Sequence, residues 1–331
     1  MKRLCLWLTV AAFALKGMAC TNLIVGKKAS ADGSVMITYS SDDYGSYGYL
    51  HFYPAAHHQP GEMRALYDYE TNNYLGEIPE APYTHGVIGQ LNDHQLSVME
   101  TTFGGREELV DTTGLLDYGS LMYLTLQRAK TAREGIDVWV QLCETYGYRS
   151  EGESITLADP NEVWVLEFVG KGPGSKGIVW VARRLPDDCI TGHANQARIT
   201  TFPLKDKANC LYAKDVIKFA REKGYFSGKD ADFSFREAYA PNDFSGRRIC
   251  DARVWSFFNR CAAGMERYLP YILGKEEQTE EMPWCIRPDK PISLNDLKQA
   301  MRDHFEGTPL EMTADLGAGP YEAPYRPTPL Y

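Results

Sequence analysis

The chain lacks a second long apolar run. The only one, Leu4 to Leu15, is about twelve residues, well short of the roughly 20 that a membrane-spanning helix needs. It also lacks an excess of positive charge: 35 Lys and Arg stand against 44 Asp and Glu. An acidic surface repels phosphate backbones, which excludes nucleic acid as the expected partner. No CxxC pair and no HExxH helix is present among its 8 cysteines and 7 histidines, so no metal and no cofactor is expected. The G-x-S-x-G elbow of serine hydrolases is missing too, as are internal repeats and low-complexity tracts. The one G-x-G-x-x-G match, Gly172 to Gly177, carries Pro173 and sits between two strand-like runs, so it reads as a hairpin loop rather than a dinucleotide loop.

What is present begins at the amino terminus. Met1-Lys2-Arg3 is a basic start, the apolar run follows, and Gly17-Met18-Ala19 is a small-residue exit, which predicts a signal peptide over 1–19 and an exported, periplasmic or extracellular protein. Removing it takes away Lys2, Arg3 and Lys16 and no acid, moving the net charge from −9 to −12. Cys20 then becomes the first residue. A terminal cysteine carries nucleophile and base together, because its thiol titrates near 8.5 and its α-amine near 7.7–8.0 in simple peptides. Lipid attachment at Cys20 is the competing reading, although Gly17 stands where a lipoprotein signal wants a leucine-like residue. Cys143, Cys189, Cys210, Cys250, Cys261 and Cys285 remain, enough for up to three disulfides in an oxidising compartment.

Strand-like runs at 21–25 and 34–41, parted by Asp32-Gly33, predict a hairpin. Short strands are expected at 87–89 and 95–101 around the Asn92-Asp93 turn. Helices are expected at 117–132 and 136–146 with a break at Glu134-Gly135, then strands at 155–158, 163–169 and 178–182. Later helical patterns cover 211–221, 232–238 and 294–303. Strand pairs alternating with helices fit an α+β fold with sheets inside and helices outside, a single domain over 20–331.

The run Cys20-Thr21-Asn22-Leu23-Ile24-Val25-Gly26, continuing to Asp32-Gly33-Ser34, resembles the start of the secreted bacterial dipeptidase family of N-terminal-nucleophile (Ntn) hydrolases, which is related to choloylglycine hydrolases and penicillin V acylases. Gly89-Gln90-Leu91-Asn92-Asp93-His94, Glu100-Thr101-Thr102, Asp159 to Trp164 and His193-Ala194-Asn195-Gln196 resemble later family blocks. The resemblance implies an αββα sandwich of two stacked antiparallel sheets and hydrolysis of dipeptides or short peptides through a thioester at Cys20. It also implies Asn92 as an oxyanion donor and Asn195 as a contact for the substrate or the α-amine. Asp42 is placed to tune that amine, and Arg253 to favour the thiolate. Many relatives carry an arginine where this chain has Tyr39. Glu100, Asp159 and Glu162 are the acids available for a substrate amino terminus.

Two other readings stay open. A related amidase acting on bile-salt conjugates, penicillin V or N-acyl amides would share these catalytic residues, and a lipid-anchored binding protein would use Cys20 as an anchor. A homo-oligomer is compatible with the sequence, and the Pro/Tyr-rich end suggests a chain incomplete at its C-terminus.

Overall fold

The computed structural model describes residues 19–42, 48, 50–275, 280–314 and 316–323. Most of the expected signal peptide, most of the Gly/Tyr-rich loop after Asp42 and the segment from 324 onward lie outside these residues. The fold is α+β with antiparallel sheets. Strand β1 (Ala19–Val25) pairs with β2 (Met36–Ile37) and β3 (Ser40–Asp42), which is the expected hairpin, Ile24 lying opposite Ile37 and Cys20 opposite Ser41. Strand β4 (Phe52–Tyr53) leads into two small ribbons. One pairs β5 (Ala56–His57) with β8 (Tyr83–Thr84), and the other pairs β6 (Met63–Tyr67) with β7 (Tyr74–Pro79).

The chain then enters the main sheet through β9 (Val87–Ile88), β10 (Leu91–Asn92) and β11 (Ser97–Gly104). It continues through β12 (Gly152–Ala158), β13 (Val163–Gly170) and β14 (Ile178–Arg184). With β4 and β16 (Cys210–Tyr212) at its ends, this sheet has eight strands in the order β16-β14-β13-β12-β11-β10-β9-β4. β12 and β13 are buried along their whole length, β13 through a near-continuous apolar sequence and β12 with Glu153, Ser154 and Thr156 buried among its apolar residues. The loop with the G-x-G-x-x-G match joins β13 to β14 as a hairpin loop.

Between β11 and β12 run α1 (Tyr118–Arg128) and α2 (Ala132–Tyr146). They pack on one face of the main sheet around Leu121, Ile136, Trp139, Leu157 and Phe168. The helices part at 129–131, not at Glu134-Gly135. Thr131 caps α2 by accepting from the Glu134 backbone N–H (3.2 Å), and the Glu134 carboxylate reaches back to the Lys130 N–H (2.8 Å). These two bonds start the helix at Ala132, two residues before Glu134, and Gly135 sits inside it because a Cβ there would press within 2.5 Å of the Leu157 side chain.

The other face of the main sheet meets a smaller sheet in which β1 lies between β2 and β15 (Ile190–His193). Ile24 packs there against Ala158, Val163, Val165 and Leu185. Gly192 lets β15 close on β1, since a Cβ would meet the Asn22 carbonyl oxygen at 2.7 Å. Beyond the small sheet come α5 (Ala252–Cys261), α6 (Leu269–Ile272) and α7 (Leu294–Ala300), joined around Leu23, Val25, Trp255, Phe258 and Leu297. Two shorter helices, α3 (Val216–Glu222) and α4 (Phe235–Tyr239), fill a third core beside β14. The run at 211–221 therefore begins as strand β16, and the longest late helix, α5, was not expected.

No disulfide forms among the described residues, and all seven cysteines from Cys20 onward are free thiols. Cys143 sits in the helix-side core and Cys210 in the third core, away from each other, whereas Cys189 and Cys285 share the core between the sheets as two thiols side by side. No described helix is long and apolar enough to cross a membrane.

Candidate active site

Strand β10 and the residue before it cover β11 only at Ser97 and Val98, so β11 is an open edge from Met99 onward. Two side-chain amides satisfy its exposed carbonyls: Asn22 Nδ2 reaches the Glu100 oxygen (3.5 Å) and Asn195 Nδ2 donates to the Thr102 oxygen (2.7 Å). Both belong to the small-sheet side, and they dock the start of β1 against this edge. Cys20 is thereby held fully buried, its Sγ 3.5 Å from Glu100 Oε1 and 3.9 Å from Ser41 Oγ.

The backbone nitrogen of Cys20 donates to Asn195 Oδ1 at 2.7 Å. Asn195, just after β15, takes a left-handed conformation (φ 61°), a geometry asparagine tolerates better than most residues. Arg253, in the first turn of α5, completes the frame. Its Nη1 donates to the Cys20 carbonyl (2.7 Å) and Thr21 Oγ1 (3.0 Å), and its Nη2 to the Ala194 carbonyl (2.8 Å) and Asn195 Oδ1 (3.0 Å). One planar guanidinium thus locks the first residues of β1 to the end of β15. It meets the Cys20 carbonyl rather than its sulfur, a different contact from the thiolate-stabilising one expected.

The thiol itself is pushed well above its ordinary range, first by burial and then by the negative charge of Glu100. Glu100 lies on the helix-side face of β11, and Glu153 of β12, opposite Thr102, shares that face. Burial raises both carboxyls above the usual carboxylate range, and the charge of Glu100 adds to the rise at Glu153. Tyr39 donates to Glu100 Oε1 (2.5 Å) and Thr102 Oγ1 to Glu153 Oε1 (2.7 Å). Tyr39, standing where relatives were expected to have arginine, therefore serves this acid pair. Sequence reasoning missed Glu153; the available signal was a lone acid inside the otherwise neutral strand Gly152 to Ala158.

Asp42 lies opposite Ala19 in the β1–β3 ladder, beside a cavity of about 300 Å³ lined also by Ser40, Arg248, Arg253 and Met301. Desolvation raises its carboxyl, partly countered by Arg253. The cavity takes Ala19, Thr21 and Leu23, the residues of β1 whose side chains alternate with Cys20, so it opens on the face of the strand away from Sγ.

Asn92 is not brought to this site. Its Nδ2 donates to the Leu126 and Ala129 carbonyls at the C-terminal end of α1 (both 2.8 Å), and its Oδ1 accepts from the His94 and Leu96 N–H groups (both 3.0 Å). Every polar atom of that amide is spent on closing a helix and a turn, which overturns its expected place as an oxyanion donor. Asp159 and Glu162 are equally remote in role, Asp159 accepting from the Ala132 N–H (2.9 Å) and Glu162 pairing Arg133 and Arg184. Of the acids considered, Glu100 alone touches Cys20.

The sequence from residue 19 to 84 and from 53 to 330 matches peptidase family C69. The chain belongs to that family. A probable dipeptidase of Salmonella dublin is 28% identical over 336 residues, covering 96% of this chain and 72% of the relative. A dipeptidase of Bifidobacterium longum is 26% identical over 342 residues (91% and 61%), and dipeptidase A of Lactobacillus helveticus 27% over 338 (95% and 67%). The chain thus spans roughly two thirds of the length of the curated C69 relatives it matches. The C69 match includes Cys20, Glu100, Glu153, Asn195 and Arg253, the residues that the fold assembles at the open edge of β11.

Proposed function

We propose that the chain is a cysteine dipeptidase whose nucleophile is Cys20, exposed as the first residue when the leader is cut after Ala19. The observation that carries this reading is the Cys20 nitrogen held 2.7 Å from Asn195 Oδ1, with Arg253 fixing both residues. After cleavage that nitrogen is an α-amine already positioned on the nucleophilic residue. The packing order of helices, main sheet, small sheet and helices supports the αββα Ntn sandwich that such a mechanism uses.

Burial and Glu100 both raise the thiol pKa, which favours a neutral thiol over a stored thiolate. Attack then requires a base at the moment of reaction, and the α-amine is that base. The Sγ–C bond forms as the proton passes to the amine. The proton goes on to the leaving amino group, the thioester remains on Cys20, and water activated by the same amine hydrolyses it.

Glu100 supports dipeptides as the substrate class over acyl amides. In a dipeptide the free ammonium is attached to the carbon next to the scissile carbonyl, and reacting atoms approach to about 3–3.5 Å. A carboxyl oxygen 3.5 Å from Sγ is therefore on hand as a partner for that ammonium. Export, and a periplasmic or extracellular place of action, follow from the same leader. The test is a panel of free dipeptides, their N-acetyl forms, and conjugated amides: the reading expects cleavage of the free dipeptides, and activity confined to the blocked or conjugated amides would refute it.

A further inference from the structure

A second cluster of chemically competent groups lies at the far end of β10, outside the Cys20 site. His85 follows β8, and Asp93 and His94 form the turn after Asn92. The two segments are joined by the Asp93 N–H donating to the Gly86 carbonyl (2.9 Å), and the His85 N–H anchors the first of them to the Gln127 carbonyl at the end of α1 (2.8 Å). The Gly86 N–H takes Asp93 Oδ2 (3.0 Å), which turns Oδ1 toward both imidazoles. Oδ1 lies 3.6 Å from His85 Nδ1 and 3.8 Å from His94 Nε2. One ligand atom from each of the three residues falls within 4.8 Å of the others.

These separations are too long for good hydrogen bonds and too short for a bridging water. His85 is 5% exposed, and its Nδ1 has no hydrogen-bond partner in the structure. A buried, unpartnered ring nitrogen is costly unless something occupies its lone pair. The rings of His85 and His94 are near perpendicular (83°) with centroids 4.4 Å apart, so they do not stack and each can aim a nitrogen at a common point.

We propose that His85, Asp93 and His94 bind one divalent cation of the zinc class. Zinc bound at about 2.0–2.2 Å in a tetrahedron sets its ligand atoms roughly 3.3–3.5 Å apart, a contraction of a few tenths of an ångström from the two measured distances. Two imidazoles with one carboxylate select zinc, cobalt or nickel over magnesium and calcium, which take all-oxygen sites. The fourth position is left to water. The ion ties β8 to the turn after β10, and through Asn92 and Gln127 it fixes the C-terminal end of α1, stiffening the edge of the main sheet that carries β11. It is independent of the chemistry at Cys20.

The test uses the full chain with Cys20→Ala, which removes the nucleophile's thiol as a competing ligand, beside the same protein with His94→Ala. Cobalt(II) titration followed by visible absorption, and zinc equilibrium dialysis, read the site directly. One equivalent is expected to bind with ligand-field bands that lack thiolate charge transfer, with affinity falling at least about a hundredfold on His94→Ala, since even outer-shell losses cost 10–100-fold. Tm is expected to rise with zinc only where His94 is present. Should His94→Ala fold poorly, Asp93→Asn retains an acceptor for Gly86 and removes the carboxylate. Absence of binding, equal stoichiometry in both proteins, or a purely thiolate spectrum would overturn the proposal.

Discussion

Replacing Arg253 by methionine keeps much of the aliphatic length of the side chain and removes the guanidinium. Five acceptors then lose a donor: the carbonyls of Cys20, Ala194 and Ile249, Thr21 Oγ1 and Asn195 Oδ1. A buried acceptor left unpaired costs about 1–3 kcal/mol, but the adjoining cavity of about 300 Å³ admits water to some of them. A net loss of about 2–4 kcal/mol in stability is expected. The catalytic loss is separate: Asn195 Oδ1 keeps its bond to the Cys20 nitrogen but is no longer clamped, and misplacement by about 1 Å costs roughly a hundredfold in rate. Urea denaturation gives the first quantity, and kcat with a saturating dipeptide, at a urea-free temperature where the variant is fully folded, gives the second. Arg253→Lys, with one point charge in place of a fork, should recover part of the stability and little of the rate. A methionine variant with stability within about 0.5 kcal/mol and unchanged kcat would refute the clamp.

Asn92→Ala should lower the urea midpoint by an amount equivalent to about 2–4 kcal/mol through its four lost bonds while leaving kcat of the folded enzyme near wild type; a selective fall in kcat would restore the oxyanion role. Glu100→Gln should cut kcat/KM for free dipeptides by about a hundredfold, as loss of a charge-assisted contact does, and should erase the preference over N-acetyl dipeptides. His193, buried between Thr101 Oγ1 (2.7 Å) and Thr156 Oγ1 (2.8 Å), has its pKa pushed down to about 3 by desolvation. The unfolded chain therefore takes up a proton near 6.5 that the folded chain refuses, so this contribution is complete above pH 6.5 and drains away toward pH 3, by up to roughly 4–5 kcal/mol. Stability curves of wild type and His193→Gln between pH 7 and 4 should converge on acidification, and parallel curves would contradict the assignment.

Much of this was legible in the sequence, for identifiable reasons. The β1 hairpin announces itself through β-branched residues around Asp32-Gly33, and β13, β14 and the second half of β12 through apolar and β-branched runs of strand length. Cys20 and Asn195 fall in motif blocks, and the fold gathers them with Arg253. Asn92 was misread because an asparagine in a turn has the same signature whether its amide points at a nucleophile or at a helix end; here α1 ends within its reach. The α2 start was placed late because Glu134-Gly135 looks like a breaker, whereas Thr131 and Glu134 together make a cap. α5 escaped notice because Arg253 and Arg260 interrupt its apolar pattern and the six residues before it are wound as a wider π-type turn. The Glu100–Glu153 pair depends on the cross-strand register of β11 and β12, which no local pattern fixes.

The central claim is that the nucleophile and its base share one residue. The direct measurement compares dipeptide hydrolysis by three proteins: one beginning at Cys20, the same with Cys20→Ala, and one with a single additional residue before Cys20 whose thiol is intact. The account predicts activity in the first alone, since the additional residue converts the α-amine into an amide nitrogen that cannot accept a proton. An extended protein as active as the first would show that the base lies elsewhere and would contradict the mechanism.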